Sequence, residues 1–300
     1  GISDPVNKIE SYLNVYFRDN RNIKRAQGVP TASLQPLLES KALNSFPNSE
    51  VTIDLWAKLN AKSPRTINSL HGWWDASDEN TLILENGGIK TWLDISGKNY
   101  HLQQPVIYQR PWIADGPVEG SKSVRFTPDL INTKTLYTST ENTVWDEFSM
   151  WIIVRSDDQF QWTHGSFVGS GSGDNLRNIS LQFTENRLQV RVWSEKDKDP
   201  LAVTSVTNGL QGYWWMVGIW CDGNVLSVRI NGQAEVSAEL PESSSETKTR
   251  VVLGADSVSK QGMVGNVAEC VIFSSAISEK EMFDIETYLS SKWKVGDSSM

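Results

Sequence analysis

Between residues 214 and 240 apolar side chains fall on every second position, and two tight-turn dipeptides interrupt the pattern. Trp215, Val217, Ile219 and Cys221 alternate with Trp214, Met216, Gly218 and Trp220, a second set that is also largely apolar. Leu226, Val228 and Ile230 alternate with Ser227 and Arg229; Ala234, Val236, Ala238 and Leu240 alternate with Gln233, Glu235, Ser237 and Glu239. A period of two sends neighbouring side chains to opposite faces of a strand. Asp222-Gly223 and Asn231-Gly232 separate the three runs and supply residues that tolerate positive φ. The stretch therefore reads as a three-stranded antiparallel meander. Related runs predict strands near 148–155, 179–183, 188–192, 250–254 and 265–273. Many short strands divided by turns, without alternating helices, favour a mainly β, two-sheet antiparallel sandwich over an α/β fold.

Both ends of the chain carry helical patterns. Asp4-Pro5 fits an N-cap with Pro at the first helical position, and Val6, Ile9, Tyr12, Leu13, Tyr16 and Phe17 follow at helical spacing. A second helix is expected over 34–43, with Pro36 in its first turn, while 51–59 fits helix or strand. Near the other end, Ser278 and Glu281 form a capping box, and Met282, Ile285, Leu289 and Trp293 share one face suited to lie on the sandwich. The expected organisation is a helical attachment segment over 1–70, a sandwich over 71–295 and a polar tail over 296–300. An apolar helix face needs a cover. The stripe Val6, Ile9, Leu13, Tyr16 and Phe17 either packs on the sandwich or docks on another chain.

Charge and composition narrow the partners. The formal net charge is −8, and no basic stripe exists to neutralise phosphates, so nucleic acid is not expected as a partner. The basic stretch 18–25 is short and reads as a solvated helix end or turn. No run approaches the ~18 consecutive apolar residues of a membrane span, so no membrane insertion is expected. The opening lacks a basic region followed by an apolar one, so no secretion leader is expected. Cys221 and Cys270 each lie in a strand-like run, where cysteine is usually a buried small hydrophobe; a disulfide requires the two strands to be neighbours. Thirteen tryptophans are present. Most such rings pack in cores, while an exposed one can stack on a sugar.

Several segments in order carry a family resemblance. Trp73-Trp74-Asp75-Ala76-Ser77-Asp78 is followed by Lys90-Thr91-Trp92-Leu93-Asp94-Ile95-Ser96-Gly97-Lys98-Asn99, then Arg110-Pro111 and Val124-Arg125-Phe126. Next come the meander, Gly265-Asn266-Val267-Ala268-Glu269-Cys270-Val271-Ile272-Phe273, Ala276-Ile277-Ser278, Tyr288-Leu289 and Lys292-Trp293. Over about 72–295 this set resembles the concanavalin A-like, laminin-G-like jelly rolls common in phage virion and bacterial surface proteins. The resemblance implies a jelly-roll sandwich and framework roles for the Trp-Asp and Ser-Gly positions. It also implies a virion surface protein (a tail-fibre, appendage or capsid-decorating subunit) that is a homo-oligomer. Its N-terminal segment would contact other virion subunits and its sandwich would face a host glycan. The alternatives are an adhesion module of a bacterial surface protein, or a structural subunit without ligand. Localisation follows the same fork: virion, or bacterial cell surface.

The residues give no catalytic pattern. His71, His101 and His164 fit no zinc spacing, and no nucleophile elbow or phosphate loop occurs. Glu195, Asp197 and Asp199 come nearest to the paired carboxylates of a glycosidase, but they read as an exposed turn. The expectation is a binding protein and not an enzyme, without a cofactor unless calcium binds. Calcium would draw on Asp75, Asp78 or Asp174 at a loop rim. For glycan binding, the aromatic and polar loop residues Trp162, His164, Asp174 and Asn175 form one group along the chain, with Trp112 and Trp193 as further stacking faces. If their segment is a strand, Trp73 and Trp74 point to opposite faces, so that one is core and the other can be exposed.

Overall fold

The computed structural model describes residues 63–127, 134–138, 147–157, 165–170, 178–184, 186–193, 201–240, 250–257 and 260–295. The attachment stripe Val6 to Phe17, the expected helix over 34–43, the segment 51–59 and the tail 296–300 lie outside them. The chain enters the sandwich at Ser63, whose side chain caps the short helical turn Pro64–Thr66.

Two antiparallel sheets form the fold. One runs in the order β15 (Gln233–Glu239), β14 (Val225–Ile230), β13 (Trp214–Asp222), β8 (Glu147–Ser156), β19 (Gly265–Phe273), β6 (Lys122–Phe126) and β5 (Trp112–Asp115). Strand β1 (Leu70–Asp75) also pairs with β19, beyond the end of β6. The other runs β12 (Leu201–Thr204), β11 (Arg187–Trp193), β10 (Asn178–Thr184), β9 (Gly165–Ser170), β16 (Val251–Leu253), β7 (Leu136–Thr138), β4 (Leu102–Gln103), β3 (Gly88–Trp92) and β2 (Leu82–Glu85). A hairpin of β17 (Ala255–Ser257) and β18 (Lys260–Gly262) completes the strands. Helix α1 (Glu279–Trp293) follows β19.

The meander forms as its pattern predicts. Gly223 takes a φ of 92° at the first turn, and Asn231 and Gly232 take 49° and 79° at the second. The Asp222 carboxylate accepts the Asn224 and Val225 amides, which holds its pKa below the usual carboxylate range. Cys221 and Cys270 are buried on β13 and β19, with β8 between them. Two strand spacings, roughly 10 Å, exceed disulfide reach, so they do not pair with each other.

The double apolar phase of β13 has a cause outside the meander. Its sheet is covered on both sides. Trp74, Ile152, Val154, Val217, Ile219, Cys270 and Ile272 face the other sheet. Trp73, Trp151, Ile153, Met216, Val271 and Phe273 face α1, against Ile285, Leu289 and Trp293. Every residue of β19 is therefore buried. Trp73 and Trp74 do point to opposite faces, and neither ring is open: Trp73 is only 6% exposed, because α1 covers its face. The helix starts at the anticipated capping box.

Two carboxylates join α1 to the sheet reciprocally. Glu269, on β19 and fully buried, accepts Trp73 Nε1 at 2.7 Å and Tyr288 Oη at 3.1 Å on one oxygen. Its other oxygen accepts Trp293 Nε1 at 2.6 Å and Lys292 Nζ at 2.7 Å. Lys292 Nζ also meets Asp75 Oδ2 at 2.5 Å. In return Glu286, on the helix, accepts Arg229 Nε at 2.6 Å and Trp151 Nε1 at 3.3 Å. Gly218 makes room for that indole: a Cβ there would stand 2.7 Å from Trp151 Nε1.

Burial raises the Glu269 pKa, the Lys292 ammonium pulls it down, Asp75 pushes it up, and the Lys292 and Trp293 hydrogen bonds lower it. The net direction is up. A folded value above the unfolded one contributes stability that is full below the ordinary carboxylate range and is lost as pH rises through the folded value. Lys292→Met removes the cation that opposes this. We expect a loss of about 3–5 kcal/mol near neutral pH, the cost of stranding a buried charge, and a smaller loss in mild acid. Urea unfolding at the two pH values checks this; an equal loss at both would contradict it.

Candidate functional site

The strand registers arrange the outer face of the first sheet in rows. Gly218, Trp151, Val271 and Trp73 lie in one row, and Met216, Ile153, Glu269 and Asp75 in the next. Both lie against the helix layer, among its buried core and the contacts of Lys292. A buried carboxylate with a raised pKa can mark an active site. Glu269, however, has no exposed surface, and four donors from β1 and α1 occupy it. It serves as a joint.

A further row, towards the other end of these strands, is open at Trp112 and Arg155, although Asn266 at its centre is buried. Trp112 on β5 pairs with Arg125 on β6, Arg125 with Asn266 on β19, Asn266 with Arg155 on β8, and Arg155 with Trp214 on β13. Paired residues in antiparallel strands share a face. Val124, Val154 and Val267, each next to a member of the row, face the inter-sheet core, so the row faces outward. A bulge in β19 between Val267 and Glu269 keeps this phase.

The polar members interlock. Arg125 Nη1 donates to Asp157 and, at 2.7 Å, to Asn266 Oδ1, while Arg125 Nε donates to Thr127 Oγ1 at 3.1 Å. Arg155 Nε donates to Asp157 Oδ1 at 2.7 Å, and Asn266 Nδ2 donates to Ser123 Oγ at 2.9 Å. Trp112 is 39% exposed, and Lys134 Nζ stands 5.7 Å from its ring centroid. Lys134 also donates to the Tyr108 carbonyl. Exposed Ile107, Tyr108 and Tyr213 flank the two ends of the row in sequence. The result is a fixed polar strip with exposed Trp112 at one end and, at the other, Trp214, half-buried and packed against the helix-side core. Such a strip can hydrogen-bond hydroxyls and stack on flat apolar faces.

Of the residues expected to bind glycan, Trp112 belongs to this row. Trp193 ends β11 in the other sheet, and its side chain lies outside the described residues. Trp162, His164, Asp174 and Asn175 also lie outside them, as do Glu195, Asp197 and Asp199. Nothing local in the sequence marks Arg125, Arg155, Asn266, Asp157 and Trp214 as site residues. The phase of Val124-Arg125-Phe126 turns Arg125 outward, but only the pairing of distant strands places it beside Trp112 and Asn266.

The calcium candidates have other tasks. Asp75 accepts the Ser77 amide and hydroxyl on one oxygen and Lys292 on the other. Asp78 caps the turn Glu79–Thr81 through the Asn80 amide. Asp174 lies outside the described residues. Among the described residues no three acidic, histidine or cysteine side chains gather to hold a metal. No described helix is long and apolar enough to cross a membrane. Asp94 organises the turn after β3, accepting the amides of Trp73, Ser96 and Tyr100. His101 Nδ1 accepts the Asp94 amide at 3.0 Å, and His71 stacks on Tyr100 with its pKa lowered by burial.

A two-sheet antiparallel sandwich of these strands defines the concanavalin A-like class of fold. The family model of the Concanavalin A-like lectin/glucanases superfamily, laminin G type, matches residues 131–282, just over half of the chain, and the chain belongs to that family. No curated protein matches it by sequence. Among solved structures, Domain 4 of AbnA, an extracellular arabinanase of Geobacillus stearothermophilus, determined in complex with arabinotriose, aligns at TM-score 0.53 and 16% identity. That alignment covers 73% of this chain and 98% of the arabinanase domain. The binding domain of Paraclostridial Mosquitocidal Protein 1 aligns at 0.54 and 13%, covering 75% of this chain and 52% of that one. The botulinum neurotoxin type G receptor binding domain aligns at 0.51 and 11%, covering 74% and 51%. The chain thus spans about half the length of the two toxin domains. These likenesses concern the fold.

Proposed function

We propose that the chain is a carbohydrate-binding module without catalytic activity, and that the row from Trp112 to Trp214 is its binding face. The observation that carries this is the row itself: exposed Trp112 at one end, half-buried Trp214 at the other and hydrogen-bonding side chains between, beside the helix layer on the same sheet face. A sugar presents hydroxyls at its rim and C–H groups on its faces, which match that alternation. The similarity to an arabinanase domain determined with arabinotriose along nearly its whole length supports the reading.

The finer reading is a virion surface subunit whose 1–70 segment holds it to the particle and whose sandwich meets a host glycan. The ordered sequence motifs and the apolar stripe at 6–17 support it. On that reading the purified chain is a symmetric oligomer, and Leu13→Asp dissociates it in light scattering; a wild-type monomer would rule it out.

For the binding face, a glycan array is expected to show retention of particular oligosaccharides by the wild-type chain. Trp112→Ala should weaken that binding about 2- to 13-fold, the worth of one aromatic stacking contact, without lowering the melting temperature by more than a few degrees. An array blank for the wild type, or binding indifferent to Trp112→Ala, would contradict the assignment.

A further inference from the structure

We infer that the row selects acidic oligosaccharides, with a carboxylate or sulfate of the bound chain seated on Arg125 and Arg155 between rings stacked on Trp112 and Trp214. This rests on the carbohydrate-binding reading above and names the ligand class.

The charge balance of the row opposes that of the molecule. The chain as a whole carries −8, yet the row holds two guanidinium groups against one carboxylate, Asp157. Asp157 uses one nitrogen of each fork, Arg125 Nη1 and Arg155 Nε. Asn266 and Thr127 take two further Arg125 hydrogen bonds. Among the described residues, Arg125 Nη2 and both Nη nitrogens of Arg155 meet no acceptor. The Arg155 side chain is 41% exposed and that of Arg125 is 22% exposed. Arg155, with both outer nitrogens open, suits the paired oxygens of a carboxylate or sulfate; Arg125 adds only Nη2, and a neutral hydroxyl uses such a fork poorly.

The spacing fits an oligosaccharide. From β5 to β13 the row crosses four strand gaps, roughly 19 Å at about 4.8 Å each. Each arginine stands one strand in from an indole. An anionic ring over the centre of the row can therefore meet a guanidinium while its neighbours reach Trp112 and Trp214. Asp157 fixes the forks in place, so little side-chain freedom remains to be lost on binding.

Isothermal titration of the full chain with three 1,4-linked tetrasaccharides tests this: tetragalacturonate, a sulfated galactotetraose and neutral galactotetraose. We expect at least one acidic probe to bind about tenfold or more tightly than the neutral one, as charge-assisted hydrogen bonds require. Preference for the uronate identifies a carboxylate ligand, and preference for the sulfated chain a sulfate ligand. Arg155→Gln should bring the acidic-to-neutral ratio towards one, with its melting curve showing that the variant is folded. If galactotetraose binds as well as both acidic probes, or Arg155→Gln weakens all three equally, the inference falls while carbohydrate binding stands. If none of the three binds and the glycan array is blank, both fall.

Discussion

The architecture depends on sealing the outer face of one sheet beneath a helix, and Glu269 is the joint that fixes where the seal lies. A carboxylate without solvent contact is stable only if its hydrogen-bonding capacity is met, and here β1 supplies one donor and α1 three. Glu286 makes the reciprocal contact from helix to sheet. Hydrophobic burial supplies the gross attraction between the layers; the two carboxylates add directional contacts that apolar surface lacks. Because α1 is held over the rows that include Trp151 and Glu269, Trp112 and the Arg155 side chain in the next row stay exposed, while Asn266 between them is buried and Trp214 half-buried. The candidate site follows from where that covering layer lies.

Local patterns exposed much of this fold to a reader of the sequence. The three-stranded meander, its Asp-Gly and Asn-Gly turns and the capping box at Ser278 each depend on residues close in the chain, and each formed as expected. The opposite facing of Trp73 and Trp74 is legible from alternation, but the cover over Trp73 is not: nothing near it announces that a helix some two hundred residues later will lie on it. The same limit hid most of the candidate face. Trp112 could be noticed as an aromatic, but its neighbours Arg125, Asn266, Arg155 and Trp214 come from four strands, and their union depends on register. Alternation tells which face a side chain takes and says nothing about which strand lies beside it.

Fold and function therefore rest on different grounds in this protein. The concanavalin A-like sandwich hosts lectins, hydrolases and inert spacers, so belonging to it assigns no chemistry. The particular side chains on the open row carry the functional argument. Asp75 and Asp78 illustrate the distinction: acidic loop residues of a kind that hold calcium in other proteins here bind Lys292 and cap a turn.

The central claim is that ligand meets this molecule on the open row and leaves the helix-sealed face untouched. Assigned indole N–H resonances, followed while the best-retained oligosaccharide from the array is added, test it most directly. The account predicts movement of the Trp112 and Trp214 signals, with those of Trp73, Trp151 and Trp293 unchanged because Glu269 and Glu286 hold them. Movement confined to Trp162 or Trp193, with Trp112 and Trp214 still, would place the ligand elsewhere and contradict it.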